Sequence, residues 1–199
     1  GGADAKAAAA QAGVVAARQA VLGALAEAAA GRQPVELRLG NTPVIGGSGQ
    51  PRLPVVPVQL LLPAGREVAG VEVLCGRKVT LPGKYFVLPG QPPVPLLPDA
   101  QPTFAPPDPA IYNAAVAYPA ARCATPNVQR RRGVGYVLVN LNPVEYVPAS
   151  GQVSYYETLT VKLTAKAAAG APALRYRPDP VRPLDKGVAN PAALATYAL

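Results

Sequence analysis

Three consecutive arginines, Arg130, Arg131 and Arg132, stand directly before Gly133. A guanidinium presents a planar fork of donors that pairs with carboxylates and phosphates. Such a run is a candidate contact for an anionic partner. With a net charge of +8, nucleic acid or an acidic membrane surface is one reading. The other basic residues are scattered and no aromatic platform motif accompanies them, which favours a solvated basic surface without nucleic-acid binding.

Histidine is absent, and the only cysteines are Cys75 and Cys123. No Ser-His-Asp triad, Cys-His pair or histidine metal site can be assembled from such a chain. Two cysteines are too few for a structural zinc site. No spacing points to lysine or carboxylate chemistry. The expectation is a non-catalytic protein with no cofactor and no metal. In a secreted protein Cys75 and Cys123 can close one disulfide over a long loop. The alternative, a buried thiol at Cys75 and an unrelated free one at Cys123, is preferred, because nothing in the sequence brings the two together.

The elements around these residues read as β-structure. Among 199 residues are 25 prolines and 19 glycines, without a Gly-X-Y period. The prolines fall between short Val/Leu/Tyr runs, the pattern of a sandwich with many turns. VELRL (35–39) alternates as a strand. In LPVVPVQLLLP (53–63), Val56, Val58, Leu60 and Leu62 share a face at period two, and Pro57 places the strand at an edge or a bulge. EVAGVEVLC (67–75) turns Val71, Val73 and Cys75 inward. KYFVL (84–88) and QVSYY (152–156) are short strands. GYVLVNL (135–141) and TLTVKLT (158–164) are the clearest, the second with Leu159, Val161 and Leu163 on one face. The proline-rich stretch 89–109 reads as an extended, largely polyproline II linker.

Two flanking segments differ. Residues 1–33 are Ala-rich, a helical leader with a stop at Gly31. Residues 167–199 read as an extended exit tail, with a short helix after Asn190. The expected division is therefore a leader (1–33), a β-sandwich (34–166) and a tail (167–199). The first ten residues lack the pattern of a signal peptide, and Gly1 in place of an initiator Met suggests a processed chain or a fragment. No 18-residue uncharged apolar run exists, so no membrane span is expected.

An ordered set of motifs carries a resemblance. Gly49, Pro51, Leu53, Pro54 and Val55 open an apolar strand; Leu62, Pro63 and Gly65 make a turn; Val71 and Val73 follow. Later come Tyr118-Pro119, Arg132-Gly133, Pro143 with Tyr146 and Pro148, and Gly151 before Tyr155-Tyr156, with VANPAALATY (188–197) at the end. In this order, from about Val35 onward, the chain resembles the prodomain of gingipain-type cysteine peptidases. The resemblance implies a jelly-roll-like antiparallel β-sandwich, secreted, that inhibits and helps to fold a cysteine peptidase. Prodomains of this family block the cleft with a loop, and a basic side chain fills the pocket of members that cut after basic residues. By position that loop is Arg122 to Gly133, with Arg130, Arg131 or Arg132 entering the pocket. Processing is expected after Arg175, Arg177, Arg182 or Lys186, in an exposed basic segment.

A second reading is a structural subunit of an extracellular filament or surface layer, assembled from copies through the leader and the sandwich. A third, carbohydrate binding, is weakened by the absence of Trp, because Tyr136, Tyr155 and Tyr156 suit core and cross-strand packing.

Overall fold

The computed structural model of the chain describes residues 29, 31–93, 104–169 and 186–197. These residues form an all-β body. The Ala-rich leader falls outside them except for Ala29, which is helical, and Gly31, which follows at φ +75°.

The strands in chain order are β1 (Gln33–Val35), β2 (Val44–Ile45), β3 (Leu53–Pro54), β4 (Val56–Leu61), β5 (Arg66–Cys75), β6 (Lys78–Thr80) and β7 (Tyr85–Val87). After a one-turn helix α1 (Pro109–Tyr112) come β8 (Asn127–Arg131), β9 (Val134–Leu141), β10 (Val144–Val147), β11 (Gln152–Tyr156) and β12 (Leu159–Ala167). A 3-10 helix at Pro191–Thr196 ends the described chain. Contacts divide the chain into two compact units: 1–54, 80–120 and 144–154, then 55–79, 121–143 and 155–199.

The first unit contains the parallel pair β1–β7, the pair β2–β3, and β10 with the Gln152–Ser154 part of β11. Its centre is aromatic. Phe86, Val87, Tyr112, Tyr146 and Val153 are buried, and the rings of Phe86 and Tyr112 lie 5.3 Å apart. Each buried phenol has a backbone partner, as burial requires. The Tyr112 hydroxyl donates to the Val87 carbonyl at 2.6 Å, and the Tyr146 hydroxyl donates to the Tyr85 carbonyl at 3.2 Å. Tyr118 and Tyr146 exchange two backbone bonds, at 2.7 and 2.9 Å.

The second unit is a small sandwich. One layer is β4–β9–β8 and the other is β12–β5. Leu60, Leu62, Val137, Val139 and Leu141 point from the first layer toward Val71, Val73, Leu159, Val161 and Leu163 of the second. The period-two faces read from the sequence meet here. The outward face of β12–β5 is polar, with Lys162 opposite Glu72 at 3.6 Å and Lys166 opposite Glu67 at 3.2 Å. Such exposed pairs add at most about 1 kcal/mol each.

Several local expectations need correction. VELRL is not a strand: β1 ends at Val35, after the pairing with β7 is exhausted. The proline-bounded stretch 143–148 carries a strand that the sequence pattern does not mark. It holds β10, because Pro143 and Pro148 flank the ladder without interrupting it. Residues 94–103 of the proline-rich stretch lie outside the described residues. Cys75 is exposed, not buried: it shares the face of Val71 and Val73 but occupies the last rung of β5, opposite Leu159, past the apolar residues that cover those valines.

Burial raises the pKa of Tyr112, Tyr118 and Tyr146 above the ordinary 10.0. Stability from these phenols is complete below pH 10, where the unfolded chain is also protonated. It is lost as the pH climbs from there toward their raised folded values. Thermal unfolding followed by tyrosine absorbance should therefore show Tm falling by roughly 5 °C or more between about pH 9 and pH 11. A flat Tm across that range would contradict the phenol burial described.

Candidate functional site

The arginine run lies at the end of a β-hairpin. Within the segment 122–133 expected as a loop, residues 122–126 are irregular and 127–131 form a strand. Asn127–Arg131 form β8, paired antiparallel with β9 from Asn127 opposite Leu138 to Arg131 opposite Val134. Only Arg132 and Gly133 remain as the turn. A hydrophilic strand such as NVQRR forms because its neighbour supplies the ladder; every one of its side chains is exposed.

The turn has φ +51° at Arg132 and φ +81° at Gly133. Positive φ at both central residues is the primed turn whose twist matches the flanking strands. Gly133 adopts it freely. Arg132 does not: the left-handed region costs an ordinary L-residue about 1–2 kcal/mol. Arg132 is the only non-glycine residue at positive φ among those described. The hairpin thus presents three exposed guanidinium groups at its tip, one of them on strained backbone.

Arg122 is placed differently. Its guanidinium stacks over the Tyr156 ring at 5.6 Å, and its carbonyl accepts from the Asn142 N–H at 2.8 Å. Lys78 lies over the same ring at 5.9 Å. Arg122 is half-buried and belongs to the packing of the second unit.

A second group of side chains gathers beneath the hairpin, signalled in the sequence only by Asn190-Pro191. The terminal segment docks on β4, the edge strand anticipated from Pro57. The Ala189 N–H donates to the Gln59 carbonyl at 2.9 Å. The Asn190 side chain grips Leu61 twice: its Oδ1 accepts from the Leu61 N–H at 2.7 Å and its Nδ2 donates to the Leu61 carbonyl at 2.9 Å. Thr196 Oγ1 accepts from the Ala64 N–H at 2.8 Å. Tyr197 is buried against Leu61, Val134 and Tyr136, with Val188, Ala193 and Leu194 around it. At 0.5–1.5 kcal/mol for a typical internal hydrogen bond, the Asn190 pair adds about 1–3 kcal/mol. It also covers an edge that would otherwise offer unpaired groups to another chain.

The 3-10 helix begins after Asn190, as Asn-Pro suggests. Asn190 makes no side-chain cap bond, however, because its amide is committed to Leu61. Residues 186–197 are therefore a docked part of the second unit. The processing candidate Lys186 sits exposed in a turn at the start of this segment. Arg175, Arg177 and Arg182 lie outside the described residues.

The cavity beside the hairpin, lined by Leu62, Arg66, Arg130, Gly135 and Tyr197 among others, holds about 40 Å³. Ligand clefts span roughly 300–1,000 Å³. A roomier cleft of about 470 Å³, lined by Val58, Gln59, Thr125, Asn127, Leu138 and Asn140, carries no ionisable side chain. No group of three potential metal ligands occurs among the described residues. Cys75 and Cys123 are both free thiols, and Cys123 is half-buried against the sandwich core.

No family model matches the chain, and no curated protein matches it in sequence. Solved structures do. A chain from the structural study of the zymogenic latency of gingipain K from Porphyromonas gingivalis shares 19% identity over 64% of this chain and 71% of its own, with a TM-score of 0.53. A chain of the complex of Porphyromonas gingivalis RgpB pro- and mature domains shares 20% identity over 76% and 77%, with a TM-score of 0.56. The chain therefore has the gingipain-type propeptide fold.

The strained turn yields a measurable expectation. Asn tolerates the left-handed region far better than Arg. Arg132→Asn should therefore raise unfolding stability by about 0.5–1 kcal/mol in a denaturant titration. A loss of stability would show that Arg132 is held there by contacts worth more than the strain.

Proposed function

We propose that this chain is the inhibitory and folding prodomain of a gingipain-like cysteine peptidase, acting outside the cell. The observation that carries the reading is the hairpin: three exposed arginines at the tip of an edge β-ribbon, with a guanidinium-bearing residue retained where glycine or asparagine would be cheaper. Backbone strain that persists at an exposed position is a pointer to use. A narrow, rigid, cationic tip suits a cleft with an acidic specificity pocket, since a guanidinium and a carboxylate form paired charge-assisted bonds. The propeptide fold and the absence of histidine agree with a domain that restrains another polypeptide's chemistry and supplies none itself. Among the described residues no helix is long and apolar enough to cross a membrane.

Within the hairpin, Arg132 is the proposed pocket residue. It stands at the apex, whereas Arg130 and Arg131 are rungs of the ladder, opposite Gly135 and Val134. Arg122, stacked on Tyr156, contributes to folding and not to the contact. Lys186 and the arginines upstream of it are the proposed processing points.

The test is inhibition of an arginine-cleaving peptidase of gingipain type by the purified chain. Arg132→Ala should weaken inhibition about 100-fold or more, as expected for a buried arginine anchor. Arg130→Ala and Arg131→Ala should each cost tenfold or less. Equal inhibition by all three variants and the parent chain would remove the hairpin from the mechanism. No inhibition by the parent would remove the inhibitory reading itself.

A further inference from the structure

Two residues beyond the arginine turn, strand β9 meets the terminal segment. The Gly135 N–H donates to the Tyr197 hydroxyl at 3.1 Å, and that hydroxyl donates to the Leu62 carbonyl at 2.8 Å. The Leu62 N–H meanwhile donates to the Gly135 carbonyl at 2.9 Å. In a regular antiparallel rung, two such residues exchange both bonds directly. Here one bond is direct and the other is relayed through a phenol. The interruption falls where β4 has ended at Leu61 and Pro63 follows. The approach is close at Gly135: a Cβ there would lie 3.2 Å from the Leu62 side chain, which would have to give by a few tenths of an ångström.

We propose that residues 188–197 form a latch that sets the aim of the arginine hairpin, with Tyr197 as its positioning residue. The inference rests on the reading of the hairpin as the inhibitory element. Strand β8 buries no side chain, so β9 alone holds it in register. The first residues of β9 therefore determine where the tip points. Val134, directly after the turn, is fully buried, and the cluster that buries it includes Tyr197 and Leu194 of the latch. The Gly135 N–H donates its relayed bond to the Tyr197 hydroxyl. Tyr136 packs in the same cluster. The latch is thus fixed at one end by Asn190 on Leu61 and at the other by Tyr197 under the hairpin base. A hairpin held this way meets a cleft with its conformational entropy already lost, which favours tight contact.

Tyr197→Phe keeps the ring and removes the relay. In the full chain, amide hydrogen exchange should quicken about tenfold at residues 131–136 and stay at parent rates in β10 and β11. Inhibition of an arginine-cleaving gingipain-type peptidase should weaken about tenfold. Asn190→Ala serves as the comparison: it loosens the far end but leaves the hydroxyl, so at a similar loss of Tm it should disturb the hairpin less. Unchanged exchange at 131–136 in Tyr197→Phe would overturn the proposal. So would a quickening spread evenly over β5, β9 and β12, which marks lost stability alone. If the parent chain fails to inhibit, the inhibitory reading falls, and the exchange pattern still decides whether the latch holds the hairpin.

Discussion

Strand β9 is covered on both faces, and the second unit is organised around that fact. Val137, Val139 and Leu141 face the β12–β5 layer, while Val134 and Tyr136 face the other way. A two-stranded partner can cover only one side. The opposite side needs a second cover, and Tyr197, Leu194, Ala193 and Val188 supply it. Val134 and Leu61 are completely buried beneath that cover. Burying such side chains is worth about 1.5–3 kcal/mol each, so the terminal segment belongs to the core as much as the strands do.

Much of this architecture is legible in the residues. The alternation in TLTVKLT and VVPVQLLL assigns both inner faces of the sandwich, because a half-buried sheet imposes period two. Pro57 marks β4 as an edge, since it cannot donate to a ladder on both sides. What stays hidden has a common cause: its stabilisation is not local. NVQRR has no apolar pattern to betray β8, because that strand draws on the backbone groups of β9 and buries nothing. The strand β10 hides between two prolines that resemble turn markers. Cys75 continues the period of Val71 and Val73 but lies beyond the reach of the facing layer. Asn190 and Tyr197 bond to residues more than a hundred positions away, and no window of sequence registers that.

The likeness to the gingipain structures has a matching division. At 19% and 20% identity it is a likeness of fold. A shared fold can be kept by any sequence that repeats the same pattern of buried positions and turns, so it says little about a site. The positions most relevant to a contact are those the pattern does not need. Arg132 is one of them. Its φ of +51° is one that a glycine would adopt without strain.

That contrast bears on why an edge hairpin would serve as an inhibitory element at all. An edge ribbon can enter a cleft that a broad sheet cannot, but a free ribbon bends and loses the advantage. The primed turn fixes the twist of the tip, at some cost in strain. The latch fixes the base, through an apolar cluster and a phenol inserted into the ladder. Between these two anchors only the paired rungs from Arg131–Val134 to Gln129–Tyr136 remain. So short a span has little room to flex, and the same feature that leaves β8 without buried side chains keeps Arg130 and Arg131 exposed.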